Sequence, residues 1–308
     1  AGVIAEKGWQ KINIEIVRGA YVSQAAKAKG IEYLIRGIRG GSDFDQEHIL
    51  AMTNAEVLGG ARTIFVMPPR DLSTVSSTFV KSLVGPAGWH WQVDKFFPKQ
   101  SYQAMVETWL AEEWQDRVGE GKHLLNKILN NYKKENRYYH NISHLVHCFS
   151  EMSRLETGKE DAKILTIAFL YHDAIYKDGK KDILDEEQSA DLLQEDAKFV
   201  FEKDIIDKAK TLVLATQHSQ KKNGDKLIDI MTSIDLAILG QEENIYKQYS
   251  QAIRKEYQEV GDWQYKKARI AVLEKILENK IYFNKIFYKL YEEKARININ
   301  NEIIELKK

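Results

Sequence analysis

The chain has 308 residues and a single cysteine, Cys148. That excludes an intrachain disulfide framework and fits a reducing, cytoplasmic setting. No stretch approaches the roughly 18 apolar residues that a membrane span needs, and no secretory leader is visible. Net charge is lacking too. The 45 basic side chains balance 45 acidic ones, so nothing chain-wide argues for nucleic acid or an anionic membrane as a partner. Proline disappears after Pro98, its four copies being Pro68, Pro69, Pro86 and Pro98. Glycine thins at the same place, with more than half of its 18 copies lying before it. The length is a prior for two domains, and the break in composition divides them as 1–98 and 99–308.

What is present differs on the two sides of that break. Before it, short β-type runs (Ile12–Val17, Tyr33–Ile35, Thr63–Met67) alternate with helical patterns at Val22–Lys29 and Gln46–Leu58. Strand–helix–strand order with frequent turns predicts an α/β domain with a parallel sheet. After it, apolar residues recur at intervals of three and four, as in Leu124, Ile128, Leu129 and Tyr132. That predicts an all-α region of roughly eight to ten helices. The end of the chain, 297–308, reads as a helical end or a frayed tail.

Five of the eight histidines fall between 140 and 218. His140, His144 and His147 are spaced by four and three, which predicts one helical face. A second, strongly apolar segment, 164–171, ends in His172-Asp173, and Asp235 sits within the apolar run 230–239. A carboxylate or imidazole on a buried helix is costly unless it is paired or bound to a metal. Taken singly, each fits a hydrogen-bonded core histidine or a salt-bridged aspartate. Several in one helical region point to a shared partner. Imidazole with carboxylate suits a divalent ion such as Mn, Fe, Co, Ni, Zn or Mg.

The order His144, His172-Asp173, Asp235 resembles that of the HD-domain phosphohydrolases. One branch of metal-dependent phosphohydrolases within that superfamily is similar over a longer set of runs. These are Arg137-Tyr-Tyr-His140-Asn-Ile-Ser-His144, Phe169-Leu-Tyr-His172-Asp173-Ala-Ile-Tyr176, Glu186-Glu187-Gln-Ser189-Ala190, Ala215-Thr-Gln-His218, Asp235-Leu-Ala-Ile-Leu-Gly240 and Arg254-Lys-Glu-Tyr257. The resemblance covers about 103–290. It implies an all-α HD-type fold over 99–308, a divalent metal held by His144, His172, Asp173 and Asp235, and hydrolysis of a phosphomonoester or nucleotide. Where the family pattern has an acidic residue two positions before Asp235, this chain has Ser233. His140 fits a ligand, a residue that orients a ligand, or a helix-start residue, and the second reading is favoured because a ligating imidazole commonly needs an orienting neighbour. Glu187 and His218 are candidates for substrate contact or proton transfer, and a surface glutamate and a loop histidine fit equally well. Arg137, Lys177, Lys180 and Lys181 flank the ligand segments and are the nearest cations for a phosphate.

The first domain carries a second pattern. The run Tyr33-Leu-Ile-Arg36-Gly37-Ile-Arg39-Gly-Gly-Ser-Asp43-Phe-Asp-Gln-Glu47 is followed by Asn54, and Ser76-Ser77 opens a later helix. Serines at a helix start and arginines beside a glycine turn can hold phosphate oxygens. An ordinary N-capped helix and an arginine paired with Asp43 satisfy the same pattern. The segment, about 12–98, resembles the second half of phosphopantetheine adenylyltransferase, a Rossmann-like nucleotidyltransferase of coenzyme A biosynthesis. The resemblance implies that Arg36, Gly37, Arg39, Glu47, Asn54, Ser76 and Ser77 line an ATP and phosphopantetheine site. The family's glycine-rich first strand and His-x-Gly-His type ATP motif have no counterpart, so adenylyl transfer is not expected of this chain. Ala1 opens a segment that already alternates like a domain interior, which reads as a fragment with its N-terminal segment missing. Three alternatives stay open: the missing half was cut off, it lies in another chain, or the domain is a remnant; a homo-oligomer is an open alternative too.

Overall fold

A helix or strand is held in place by what its side chains bury, and the two regions of this chain bury very different amounts. The computed structural model describes residues 8, 10, 12–69, 72, 73, 75–176, 184–217 and 224–308. The chain divides into two compact units, Ala1–Val84 with Gln92–Tyr102, and Gly85–Trp91 with Gln103–Lys308.

In the first unit the described elements run α1 (Val22–Ala28), β1 (Tyr33–Gly37), α2 (Gly41–Met52), β2 (Arg62–Val66) and α3 (Ser77–Ser82). The two strands pair in parallel with Tyr33 opposite Arg62 and Gly37 opposite Val66. This is the βαβ order that the turns and β-branched runs imply. Gly60 is required where the chain passes Ser23, because a Cβ there would meet the Ser23 backbone at 2.9 Å. The expected strand at Ile12–Val17 does not form. Residues 12–18 lie outside any ladder, and Ile14 and Ile16 are exposed, so the run has neither a strand partner nor an apolar face to bury. The sheet itself stays thinly covered, with Ile35 73% and Val66 48% exposed.

The second unit is helical throughout its described residues. Most of α4 (Trp89–Val93) and of α5 (Lys99–Arg117) belongs to it, followed by α6 (Lys122–Tyr132), α7 (Ile142–Met152), α8 (Lys159–Tyr171), α9 (Asp185–Ala197), α10 (Lys203–Ala215), α11 (Lys226–Asp235), α12 (Glu243–Glu256), α13 (Asp262–Leu277) and α14 (Lys285–Leu306). The centre is α8. Every side chain from Ile164 to Tyr171 is buried, the signature of a helix enclosed on all sides. Leu145, Val146, Cys148 and Phe149 of α7 are buried without residual exposure. The end of the chain belongs to α14, where Ile299 and Ile303 are buried, so it is packed rather than frayed.

One junction matters for the site. Residues Leu236–Gly240 form a 3-10 turn directly after α11. Tyr282 Oη donates to Leu236 O at 2.8 Å, and Asn298 Nδ2 donates to Leu239 O and Gln241 O at 2.9 Å each. Gly240 lets this turn approach α14, because a Cβ there would lie 2.8 Å from the Tyr291 backbone. The turn is thereby fixed, and with it Asp235, which precedes it.

Candidate metal centre

Three helices of the second unit bring four sequence-predicted residues together. His144 lies in the first turn of α7, which is capped by Asn141 accepting from Ser143 N at 2.8 Å. His172 and Asp173 follow the last turn of α8, and Asp235 is the last residue of α11. The C-terminal ends of two helices therefore meet here. Each presents carbonyl oxygens and a partial negative charge, which favours a cation.

The separations are short. His144 Nε2 lies 3.0 Å from His172 Nε2, 3.4 Å from Asp173 Oδ2 and 3.4 Å from Asp235 Oδ1. His172 Nε2 lies 3.1 Å from Asp173 Oδ2 and 3.5 Å from Asp235 Oδ1. Cys148 stands one turn beyond His144 on α7, its sulfur 3.8 Å from His144 Nε2. His144, Cys148, His172 and Asp235 form a group whose donor atoms could hold a metal ion, all within 4.8 Å of one another.

Burial sets the electrostatics. Burial lowers the pKa of His144, reinforced by the charge of His172 and opposed by the Asp235 hydrogen bond. Burial opposes charge on His172 as well, but Asp173 and Asp235 outweigh it and raise its pKa well above the ordinary value. Burial would raise Asp173, yet His172 and His140 hold it far below the usual carboxylate range. Burial drives Cys148 strongly upward, toward the neutral thiol. His172 Nδ1 lies 2.8 Å from Phe169 O. A proton on Nδ1 donated to that carbonyl leaves Nε2 as the nitrogen that faces the cluster.

The other predicted residues take different places. His140 precedes α7 instead of sharing its face, because Asn141 caps the helix after it. Its Nδ1 lies 2.7 Å from Glu256 Oε2, which makes it an oriented neighbour of the cluster. Glu256 belongs to the Arg254–Tyr257 run, and the structure gives it a large role. Its Oε1 accepts from Tyr138 N, Tyr139 N and His140 N at 2.7–2.9 Å, and its Oε2 from Tyr176 Oη at 2.9 Å. Against the opposing effect of burial, the His140 hydrogen bond and charge hold Glu256 down at about 2. The only signal in the sequence was its place in the Arg254–Tyr257 run.

Arg137 is corrected from a phosphate-facing cation to a buried brace. It donates to His140 O at 3.1 Å, Asp173 O at 2.6 Å and Ala174 O at 3.0 Å, and its guanidinium lies over Tyr132. Lys177, Lys180, Lys181 and His218 lie outside the described residues. Glu187 is exposed in the first turn of α9, while its neighbour Glu186 lines a cavity beside the cluster. Ser189 Oγ accepts from Ile175 N at 3.0 Å and so ties the segment after Asp173 to α9. Ser233, the departure from the family pattern, is buried and accepts from Asn284 N at 3.2 Å. His147 does not join the cluster. It packs against His90 and Trp91. Burial lowers both imidazoles, His90 to about 3.

In the first unit, Arg36, Glu47 and Asn54 line one small cavity of about 260 Å³. Arg36 Nε and Nη2 reach the Glu47 carboxylate at 2.8 and 2.5 Å. Arg39 is instead paired with Asp43 at 2.8 Å and reaches Val75 O at 3.2 Å. Ser76 caps α3 by accepting from Phe79 N at 3.0 Å. Gly37, Arg39, Ser76 and Ser77 are not part of that cavity's wall.

Among the described residues, no helix is long and apolar enough to cross a membrane. About a third of the chain is similar to curated phosphopantetheine adenylyltransferases, which supports the resemblance of the N-terminal part. The relative from Chromobacterium violaceum is 31% identical over 102 residues, 33% of this chain and 62% of that protein. That from Neisseria meningitidis serogroup C is 33% identical over 106 residues, 34% of this chain and 60% of that protein. That from Desulforamulus reducens is 30% identical over 116 residues, 38% of this chain and 64% of that protein. The chain thus spans less than two-thirds of the length of these relatives. No family model matches the chain, and no solved structure matches it.

Proposed function

We propose that the helical unit is a metal-dependent phosphohydrolase acting on a phosphomonoester or nucleotide, with His144, His172, Asp173 and Asp235 as its metal ligands. The observation that carries this reading is the convergence of those four side chains at 3.0–3.5 Å. Donors bound at about 2.1 Å to one divalent ion stand roughly 3.0 Å apart in an octahedron and 3.4 Å apart in a tetrahedron. The residues present therefore fit such an ion. Asp173 is preferred to Cys148 as the fourth donor because its oxygen is nearer to His144 Nε2, at 3.4 Å against 3.8 Å. A carboxylate is also already ionised, whereas burial holds the Cys148 thiol neutral.

A bound divalent ion would acidify water toward neutral pH and offset the charge of phosphate oxygens. The protein's part is to hold the donors. Asp235 is fixed by the turn after α11, His172 by Phe169 O, and the neighbouring His140 by Glu256. Two imidazoles and two carboxylates leave a divalent site formally neutral, open to an anionic ester. The first unit is read as a partial nucleotidyltransferase domain. Its Arg36 and Arg39 would have to leave Glu47 and Asp43 to meet phosphate, so adenylyl transfer is not proposed for this chain.

The test is steady-state turnover of a phosphoester panel with Mn, Co, Ni or Mg added. Asp235→Asn should lose at least about a hundredfold, because a ligand and a charge go together. Unchanged turnover in that variant would remove the reading. No turnover of any phosphoester would leave a metal-stabilised binding module instead.

A further inference from the structure

Asp235 and His140 form part of the wall of a cavity of about 540 Å³ in the second unit. That volume is typical of small-molecule sites. The rest of the wall is mainly carbon, with Tyr139, Tyr249, Ile253, Val260, Val272 and Ile276 among it. Among the described residues it contains no lysine, no amide side chain, and no serine or threonine.

The polar groups it does contain are largely committed. Arg269 makes a two-pronged ion pair with Glu302, at 2.9 and 3.1 Å, and donates to Tyr249 Oη at 3.3 Å. His140 and Tyr176 both bind Glu256. The remaining acid of the wall, Glu186, adds negative charge. Further phosphates would meet the negative charge of Asp235 and Glu186, and beyond its tyrosine hydroxyls and the engaged His140 the described wall has no neutral polar side chain to pair with a nucleobase edge. It offers tyrosine faces and branched aliphatic side chains to an apolar group.

We propose that this cavity binds the carbon part of a phosphate monoester of an apolar alcohol, aliphatic or aromatic, with the phosphate directed to the neighbouring donor cluster. The inference rests on the phosphohydrolase reading for its chemistry and deepens it by naming the substrate class. In the reaction a water oxygen bonds to phosphorus, the bond from phosphorus to the alcohol oxygen breaks, and that oxygen takes a proton to leave as the apolar alcohol. The cavity then serves as the pocket for the leaving group.

The experiment is calorimetric titration of the full chain, loaded with Mn, using methyl-, butyl- and octylphosphonate. Turnover of the matching alkyl phosphates is measured in parallel. Affinity should rise with each methylene by as much as about fourfold. Ala268 is exposed on α13 and lines the cavity, so Ala268→Trp should partly fill it on a surface where folding is little at risk. That variant should flatten the dependence on chain length. Equal affinity across the series, or a steep series that Ala268→Trp leaves untouched, overturns the inference. So does preferred binding of adenosine monophosphate over octylphosphonate. Chain-length-dependent binding without turnover of any ester keeps the cavity's assignment and removes the hydrolase reading. Turnover with a flat series does the reverse.

Discussion

The two units hold their charged residues in opposite ways. In the helical unit, two imidazoles and two carboxylates from three helices crowd together, with both histidines almost wholly buried. In the α/β unit, Arg36 and Arg39 each sit beside one acid at a largely open surface, with side-chain exposures of 48% and 38%. Buried charges must share a partner or raise the energy of the fold, whereas a surface pair is screened by water and contributes little. The first arrangement therefore demands an explanation, and a bound cation supplies one. The second is satisfied as it stands. The same residue types carry different weight as indicators of function according to what surrounds them.

The comparison breaks most readily at the metal. His172→Ala and Asp173→Ala should each reduce the bound divalent ion from about one per chain to none by elemental analysis, while Glu47→Ala in the other unit leaves it unchanged. Full occupancy in either of the first two variants would mean that the cluster is only a hydrogen-bonded polar core.

The cores should differ by a smaller but still large margin. Phe169→Ala removes a fully buried ring from α8 and should cost about 3–5 kcal/mol in urea unfolding followed by helical circular dichroism. Ile35→Ala, on an exposed strand position, should cost less than about 1 kcal/mol. Similar losses would show that the thin sheet is as tightly packed as the helices.

Acid should find the helical unit through Glu256. Its folded pKa, about 2 against an ordinary 4.5, is depressed. Its stabilisation is therefore fully present above the ordinary value and is lost as pH falls from there toward 2. The amount is on the order of 3 kcal/mol. The stability gap between the native chain and Glu256→Gln should thus shrink between about pH 5 and pH 3. A gap that holds constant over that range would assign the effect of Glu256 to shape rather than charge.

Much of this was legible in the residues, and the gaps have physical causes. Helical periodicity and the loss of proline and glycine marked the helical region, because those signals are local. The set His144, His172-Asp173 and Asp235 came instead from an order of short runs that resembles the HD-domain phosphohydrolases, and the structure brings these side chains close together. What sequence could not show is how long-range packing spends a charged side chain. Arg137 looked free to meet phosphate, yet its Nη1 and Nη2 groups are held by the carbonyl oxygens of His140, Asp173 and Ala174. Glu256 carried no role, yet it receives three consecutive backbone N–H groups from a segment 116–118 positions away. The Ile12–Val17 run has strand character, but a strand exists only where a neighbour pairs with it.

The smallest effect belongs to the arginines of the α/β unit, and it sharpens the comparison from the other side. Arg39 makes an i,i+4 pair with Asp43, and its hydrogen bond is the main cause of the lowered Asp43 pKa. Asp43 is half-exposed and open to solvent screening, so that shift reflects local geometry more than stored stability. Arg39→Ala should therefore change unfolding by no more than a surface pair does, about 0–1 kcal/mol. It should also leave phosphoester turnover by the helical unit unaltered. If the arginines served adenylyl transfer in this chain, ATP and phosphopantetheine would yield dephospho-coenzyme A, and Arg36→Ala or Arg39→Ala would abolish the product. The expected outcome is no product from the native chain. Formation of dephospho-coenzyme A, lost on removing either arginine, would show that the pairs with Glu47 and Asp43 open on demand and that the exposed unit is as functional as the buried one.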